Sequence, residues 1–230
     1  MMKILLIETA TTVCSVAIAT VEGIMAERRS TAPNAHSSQL SPFIGQLFEE
    51  CAMSPSALTA VCVSSGPGSY TGLRIGVSTA KGLCYALDIP LLSVPTLEGM
   101  AAQWFTEHPD YQGLVCPMID ARRMECYTAF YSRTEEVRET RADIITEGIY
   151  DEYLDRGEVT FIGDGASKCF PLLSAHPQAR LDEAFSISAR GLLPVALRKL
   201  AAGQTEDVAY FEPFYLKDFV AKKSVVRGLR

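Results

Sequence analysis

The chain has 230 residues, with 21 Lys and Arg against 27 Asp and Glu for a net charge of −6, and 48% of it is hydrophobic. At roughly 150 residues per domain that is one large domain or two small lobes, enough to bury a substantial core; the apolar content excludes a mostly disordered chain, and the acidity excludes a surface that grips nucleic acid or anionic membrane all over. The charge is uneven: residues 217–230 hold five bases and one acid, whereas the rest holds 16 bases and 26 acids, a net of −10.

Residues 3–8 read as a buried strand, 13–20 as its partner across the hydroxyl-rich turn Thr9-Ala10-Thr11-Thr12, and 24–29 as the third strand of an antiparallel meander. Leu40, Phe43, Ile44, Leu47, Phe48 and Cys51 share one face of a helix over about 36–52. A short strand at 60–64 leads into a glycine-rich turn at 66–72 and a helix over 73–87 that stops before Pro90. A strand at 91–94 follows, then a helix over 96–105 with Thr96 as its cap and Glu98 in its first turn. His108-Pro109-Asp110 and Gly113 mark a boundary, giving expected lobes at 1–108 and 109–230. The pattern then restarts with a strand at 114–120, a hairpin partner at 125–131, helix signals at 147–154 and a strand at 159–162. Gly163-Asp164-Gly165 opens another helix, and Ser188 caps one that reaches Ala202 with Pro194 inside it. Strands followed by helices, twice over, predict an α/β protein with mixed sheets and a duplicated plan, without a repeat at the level of identical residues.

Seven cysteines form no Cys-x-x-Cys pair, and Cys14, Cys62, Cys84 and Cys116 lie in apolar runs where a thiol acts as a small hydrophobe. A reducing compartment, the cytoplasm, is expected. The apolar stretch at 4–7 is too short for a secretory signal, and the uncharged run at 51–73 is interrupted by Pro55, Gly66, Pro67 and Gly68, so no membrane span is expected.

The most informative segment is Ser65-Gly66-Pro67-Gly68-Ser69-Tyr70-Thr71-Gly72-Leu73-Arg74-Ile75-Gly76. Its amides suit either an anion or a tight protein contact, but it lacks the lysine of a phosphate-binding loop, and Arg74 falls one turn into the helix. On that helix Leu73, Gly76, Val77, Ala80, Leu83, Cys84 and Leu87 share one face. Ile75, Thr79, Gly82 and Ala86 extend a small-residue surface around the other side, and Arg74, Ser78, Lys81 and Tyr85 form a polar strip. The arc of apolar or small residues, roughly 220°, is about twice what one core contact needs. Two readings stay open: burial on both sides within the domain, or a docking face for a partner helix.

Ile4-Leu5-Leu6-Ile7-Glu8-Thr9-Ala10-Thr11 with Cys14-Ser15-Val16-Ala17, the glycine run, Ile119-Asp120-Ala121-Arg122 with residues 125–131, Gly163-Asp164-Gly165 and Glu212-Pro213-Phe214-Tyr215 together resemble the TsaB (YeaZ) family along essentially the whole chain. The resemblance implies the two-lobed, ribonuclease H-like fold shared by actin, Hsp70 and sugar kinases. It also implies a non-catalytic role in making threonylcarbamoyladenosine beside the anticodon of tRNAs that read codons beginning with A. Such a subunit has no cofactor of its own, pairs with its catalytic paralogue TsaD, joins TsaE in a larger complex, works with TsaC and forms a homodimer when alone. Its contact surface falls on the first two helices, here His36, Leu40, Ile75, Thr79, Gly82 and Ala86, beside the glycine-rich loop Gly66, Pro67, Gly68, Ser69, Tyr70, Thr71, Gly72 and Arg74.

The rival reading is an ATP-dependent kinase or ATPase of the same fold. Glu8 and Asp120 would be its cation-side acids, and Gly163 and Gly165 the face toward adenosine, a site that in a TsaB-like protein is vestigial. Against it, Glu8 also reads as a strand-end carboxylate bonded to the following turn, and Asp120-Ala121-Arg122 replaces the Asp-x-Gly that phosphate approach wants. Arg122-Arg123 reads as an anion site or as a solvated hairpin end. His36, His108 and His176 lack metal-ligand spacing, and there is no Gly-x-Ser-x-Gly elbow. The basic stretch from Lys217 is either a solvated end or a place to meet RNA or an acidic partner.

Overall fold

Every residue of β1 (Ile4–Glu8) and β2 (Cys14–Thr20) is buried, because side chains on both faces of these strands have a cover. Leu5, Ile7, Val16 and Ile18 face one core, and Ile4, Leu6, Ala17 and Ala19 face another. The computed structural model describes residues 2–217; the basic stretch beyond Lys217 lies outside them. β3 (Gly23–Ser30) completes the meander as a half-exposed edge. After it come α1 (Ala35–Glu50), β4 (Ala60–Gly66), α2 (Tyr70–Leu87), β5 (Leu91–Pro95) and α3 (Thr96–Glu107). β4 pairs parallel with β1, and β5 parallel with β4, giving the order β3-β2-β1-β4-β5.

The second half repeats this plan. β6 (Leu114–Asp120), β7 (Glu125–Tyr131) and β8 (Glu136–Ile144) form an antiparallel meander. The single turn α4 (Asp151–Leu154) precedes β9 (Val159–Ile162), which pairs parallel with β6; α5 (Asp164–Leu173) then precedes β10 (Ala179–Asp182), parallel with β9. The order β10-β9-β6-β7-β8 is that of the first sheet read from the other edge. This is the α/β, mixed-sheet architecture expected, duplicated in topology without duplication in sequence. α3 sits between the sheets, packing Leu97, Met100, Trp104 and Phe105 with Val115, Ile119, Ala129 and Ile162.

Several expectations are corrected. β8 and β10 were not foreseen; both are edge strands with charged residues, which blunts the alternation. α2 starts at Tyr70, three residues early, because the Ser69 hydroxyl accepts the Gly72 N–H at 3.3 Å and caps the helix there. Thr96 is the first residue of α3 rather than its cap, and its hydroxyl accepts the Gly66 N–H at 3.1 Å. Pro194 falls in the first turn of α6 (Leu193–Ala201), where its missing N–H costs nothing.

The stretch predicted as one second lobe, 109–230, contributes to both halves. Ala189, Leu192, Leu193, Val195 and Ala196 cover Ile4, Leu6 and Leu92 of the first sheet. A strap then follows the same sheet: Glu206 N–H donates to Leu91 O at 2.9 Å, and Phe214 N–H to Ser65 O at 2.7 Å. Lys81 Nζ holds the strap's carbonyls of Ala209 and Phe211 at 3.1 and 2.9 Å. Among the described residues, no helix is long and apolar enough to cross a membrane, and all seven cysteines are free thiols.

Candidate functional site

Strand β1 ends at Glu8, and the turn after it is closed by that side chain. Glu8 is 1% exposed; its Oε1 accepts the Ala10 N–H at 2.6 Å and the Ser64 hydroxyl at 2.9 Å. Burial pushes its carboxyl up to about 7, against the pull of these donors. The turn's Val13 N–H goes to Thr11 Oγ1 and its Thr9 N–H toward Ser64 Oγ. Glu8 is therefore the strand-end carboxylate of the second reading, committed to its own turn.

The glycine run lies directly against this turn. A Cβ on Gly68 would stand 2.2 Å from Ala10 O, one on Gly72 2.1 Å from Thr9 O, and one on Gly76 2.1 Å from Thr9 Oγ1. Spaced four residues apart, the three glycines make the inner face of α2 and its entry flat enough for backbone to meet backbone. Ser69 N–H donates to Ala10 O at 2.6 Å across the contact. Gly66, at φ +112°, meets the strap, where a Cβ would fall 2.3 Å from Phe214 O. Pro67 is buried, Thr71 and Arg74 are exposed, and Arg74 donates to the Tyr70 hydroxyl at 3.2 Å. The run is accounted for by close packing.

A cleft of about 750 Å³ separates the two turns, lined by Ala10, Thr12, Asn34, His36, Tyr70, Asp120, Arg122 and Asp164 among others. Asp120 ends β6 as Glu8 ends β1, but it is solvent-accessible and paired: Oδ1 accepts the Arg122 N–H at 2.7 Å and an ion pair from Lys168. Burial acts to raise its carboxyl, and the Lys168 and Arg122 donors outweigh that and hold it below the ordinary range. Gly165 lines no part of the cleft, and Gly163 borders a smaller cavity beside it, with Thr11, Thr12 and Asp164. A Cβ on Gly163 would lie 2.5 Å from Met118 O, and one on Gly165 2.9 Å from Cys126 Sγ, so both serve the packing of α5 on the second sheet. The expected nucleotide set is thus split: Asp120 lines the cleft, Glu8 is sealed behind its turn, and the glycines are under α5. Each histidine has a local partner: His36 Nε2 lies 3.2 Å from Val13 O, His108 Nδ1 2.9 Å from Trp104 O, and His176 Nε2 3.2 Å from Asp155 Oδ1. No cluster of His, Cys, Asp or Glu suited to a metal occurs among the described residues.

The residues assigned to a contact surface divide as well. Leu40 is 2% exposed and belongs to the first core, so it offers no surface. It shares the face of Ile44 and Leu47, which sheet β1–β2 covers. His36, Ile75 and Thr79 are half-buried, while Gly82 and Ala86 are exposed, with open space where a Gly82 side chain would stand. Tyr85 beside them is 85% exposed.

The family described as "TsaD: tRNA N6-adenosine threonylcarbamoyltransferase" matches residues 17–225. The tRNA threonylcarbamoyladenosine biosynthesis protein TsaB of Escherichia coli K12 is 32% identical over 97% of this chain and 98% of its own length. That of Bacillus subtilis is 39% identical over 56% of this chain, which spans 55% of that protein in the match. The solved structure of YeaZ from Pseudomonas aeruginosa superposes with a TM-score of 0.79 at 27% identity, covering 94% of this chain and all of the other. The chain belongs to the TsaB/YeaZ family.

In this TsaB/YeaZ chain three features had no sequence signal. Lys168 pairs with Asp120 across 48 residues. The strap from Glu206 to Lys217 shows no periodicity, although Glu212-Pro213-Phe214-Tyr215 had stood out as a motif. Tyr70 and Tyr215 meet as tilted rings, with centroids 4.8 Å apart and planes at 37°, joining the start of α2 to the strap.

Proposed function

We propose that this protein is a subunit of the system that makes threonylcarbamoyladenosine on tRNAs reading codons that begin with A, acting in the cytoplasm as a non-catalytic scaffold that pairs with TsaD. The observation that carries the reading is the end-to-end match to a protein named for that biosynthesis. The small-residue strip of α2, with Gly82 and Ala86 exposed and Ile75 and Thr79 half-buried, is the pairing surface, and His36 borders it on α1. Small residues allow close helix–helix approach, and an open apolar strip favours a partner. Alone, the chain self-associates through the same strip; in the full system it joins TsaE, with TsaC supplying an earlier step. The two sheets act as the two lobes. An ATPase reading has less support, since Glu8 is held by its own turn and the glycine run by the turn against it.

Reconstitution with TsaC, TsaD and TsaE tests the role: modified tRNA should form only when this protein is added, and full-rate modification without it overturns the proposal. Gly82→Arg with Ala86→Glu should abolish copurification with TsaD and leave thermal unfolding unchanged. Copurification that survives the pair of substitutions sinks the α2 surface.

A further inference from the structure

The turn between β6 and β7 is held in an unusual shape by contacts that leave its side chains free. Arg122 and Arg123 are both left-handed, at φ +74° and +55°, a region that non-glycine residues seldom occupy twice in succession. The shape is fixed from beneath: Arg122 N–H donates to Asp120 Oδ1 at 2.7 Å, and Lys168 Nζ, itself paired with Asp120, donates to Arg123 O at 2.6 Å. Among the described residues, neither guanidinium has an ion-pair partner.

Both arginines line a groove of about 410 Å³ that adjoins the cleft and shares Tyr70, Arg122 and Tyr127 with it, bounded also by Tyr215 and Lys217. Glu125 is its one acid and is engaged by Lys217. Arg74 lies over the Tyr70 ring, 5.4 Å from its centroid. The body elsewhere is acidic, and the sequence beyond Lys217 adds four more bases against one acid.

We propose that this groove binds an unpaired segment of RNA, its phosphates on Arg122 and Arg123 and its bases against the Tyr127 and Tyr215 rings. Cations that track a backbone beside aromatic faces are the chemistry of single-strand recognition, since rings accept only unpaired bases. The groove concentrates bases on a chain whose net charge is −6, so a polyanion has a local reason to sit there. The inference rests on the tRNA role proposed above and assigns part of the substrate's contact to this subunit.

The test uses the full chain with Arg122→Asn and Arg123→Asn together, because asparagine tolerates the left-handed backbone. Fluorescence anisotropy with a labelled single-stranded oligonucleotide should show binding weakened by roughly tenfold and a log–log salt slope shallower by about 1.4, two contacts at about 0.7 each. In the reconstituted system KM for tRNA should rise with KM for ATP unchanged. Three results overturn the inference: equal RNA binding by variant and wild type, a rise in KM for ATP alone, or loss of a protein subunit from the complex. If omitting the protein still stops modification while the variant keeps the wild-type KM for tRNA, the groove assignment fails and the subunit role stands. If omission has no effect, the role itself has failed.

Discussion

Glu8→Gln isolates the one buried carboxyl that ends the first strand. The wild-type side chain is 1% exposed, and burial raises it from an ordinary 4.5 to about 7. A carboxyl whose folded-state value lies above its unfolded value stabilises the fold fully below about pH 4.5, and that contribution is lost as pH rises through about 7. Moving the value from 4.5 to about 7 amounts to about 3 kcal/mol across the window. Glutamine keeps an oxygen for the Ala10 amide and the Ser64 hydroxyl but has no proton to lose, so the turn persists without the pH dependence. Urea unfolding at about pH 5, 6, 7 and 8, analysed at fixed m, gives the comparison. Wild type should lose about 2.5 kcal/mol relative to Glu8→Gln between about pH 5 and 8, the rest having been lost below pH 5. The slope is the readout, because the absolute offset includes a buried amide group that the wild type lacks. A constant difference between the two proteins refutes the reasoning. So does a wild type that gains relative stability with pH, since its carboxylate would then be favoured by an opposing charge.

Three further outcomes follow from packing. Gly72→Ala places a methyl 2.1 Å from Thr9 O and should destabilise by about 1–3 kcal/mol or more, whereas Gly82→Ala, with open space around it, should stabilise α2 by roughly 0.5–1 kcal/mol; thermal unfolding of both variants checks the pair. Ser69→Ala removes the cap that starts α2 and should cost about 1 kcal/mol in urea unfolding. Asp143→Ala leaves Arg138, paired with it at 2.5 Å with 11% of its side chain exposed, as an uncompensated charge under Phe130 and Tyr150, and should cost about 3–5 kcal/mol by the same measurement.

The central strands and long helices were legible because their signal is local: an apolar run at 4–8 and a three-to-four spacing from Leu40 to Phe48 need no knowledge of a partner. The same locality explains the errors. Leu40 looked available for a partner although its helical spacing already placed it with Ile44 and Leu47, and the sheet covers all three. β8 carries Val137, Glu139 and Arg141 on one face, so no apolar alternation shows, and as an edge strand it needs none. The spacing of Gly68, Gly72 and Gly76 was plain, but what they accommodate, Thr9 and Ala10, is about 60 residues away and carries no mark of the contact. Glu8 was readable as a strand-end carboxylate; that Ser64 shares it was not.

The two hairpin turns that face each other across the cleft begin alike, with an acid at the end of the first strand of each sheet, and then diverge. In the first, the acid folds back on the Ala10 amide, the Ser69 N–H donates to Ala10 O, and the glycine run closes over the turn. In the second, the acid pins the Arg122 amide and recruits Lys168, and the residues that follow are arginines where phosphate approach would favour a glycine. In the RNA reading proposed above, an anion meets the guanidinium groups of Arg122 and Arg123 instead of backbone amides. Backbone amides suit a small phosphate held at close range, while long cationic side chains on a rigid turn reach an extended polyanion lying over the surface. Topology alone would suggest a nucleotide between the lobes, and the residues on the two turns favour a strand of RNA beside them.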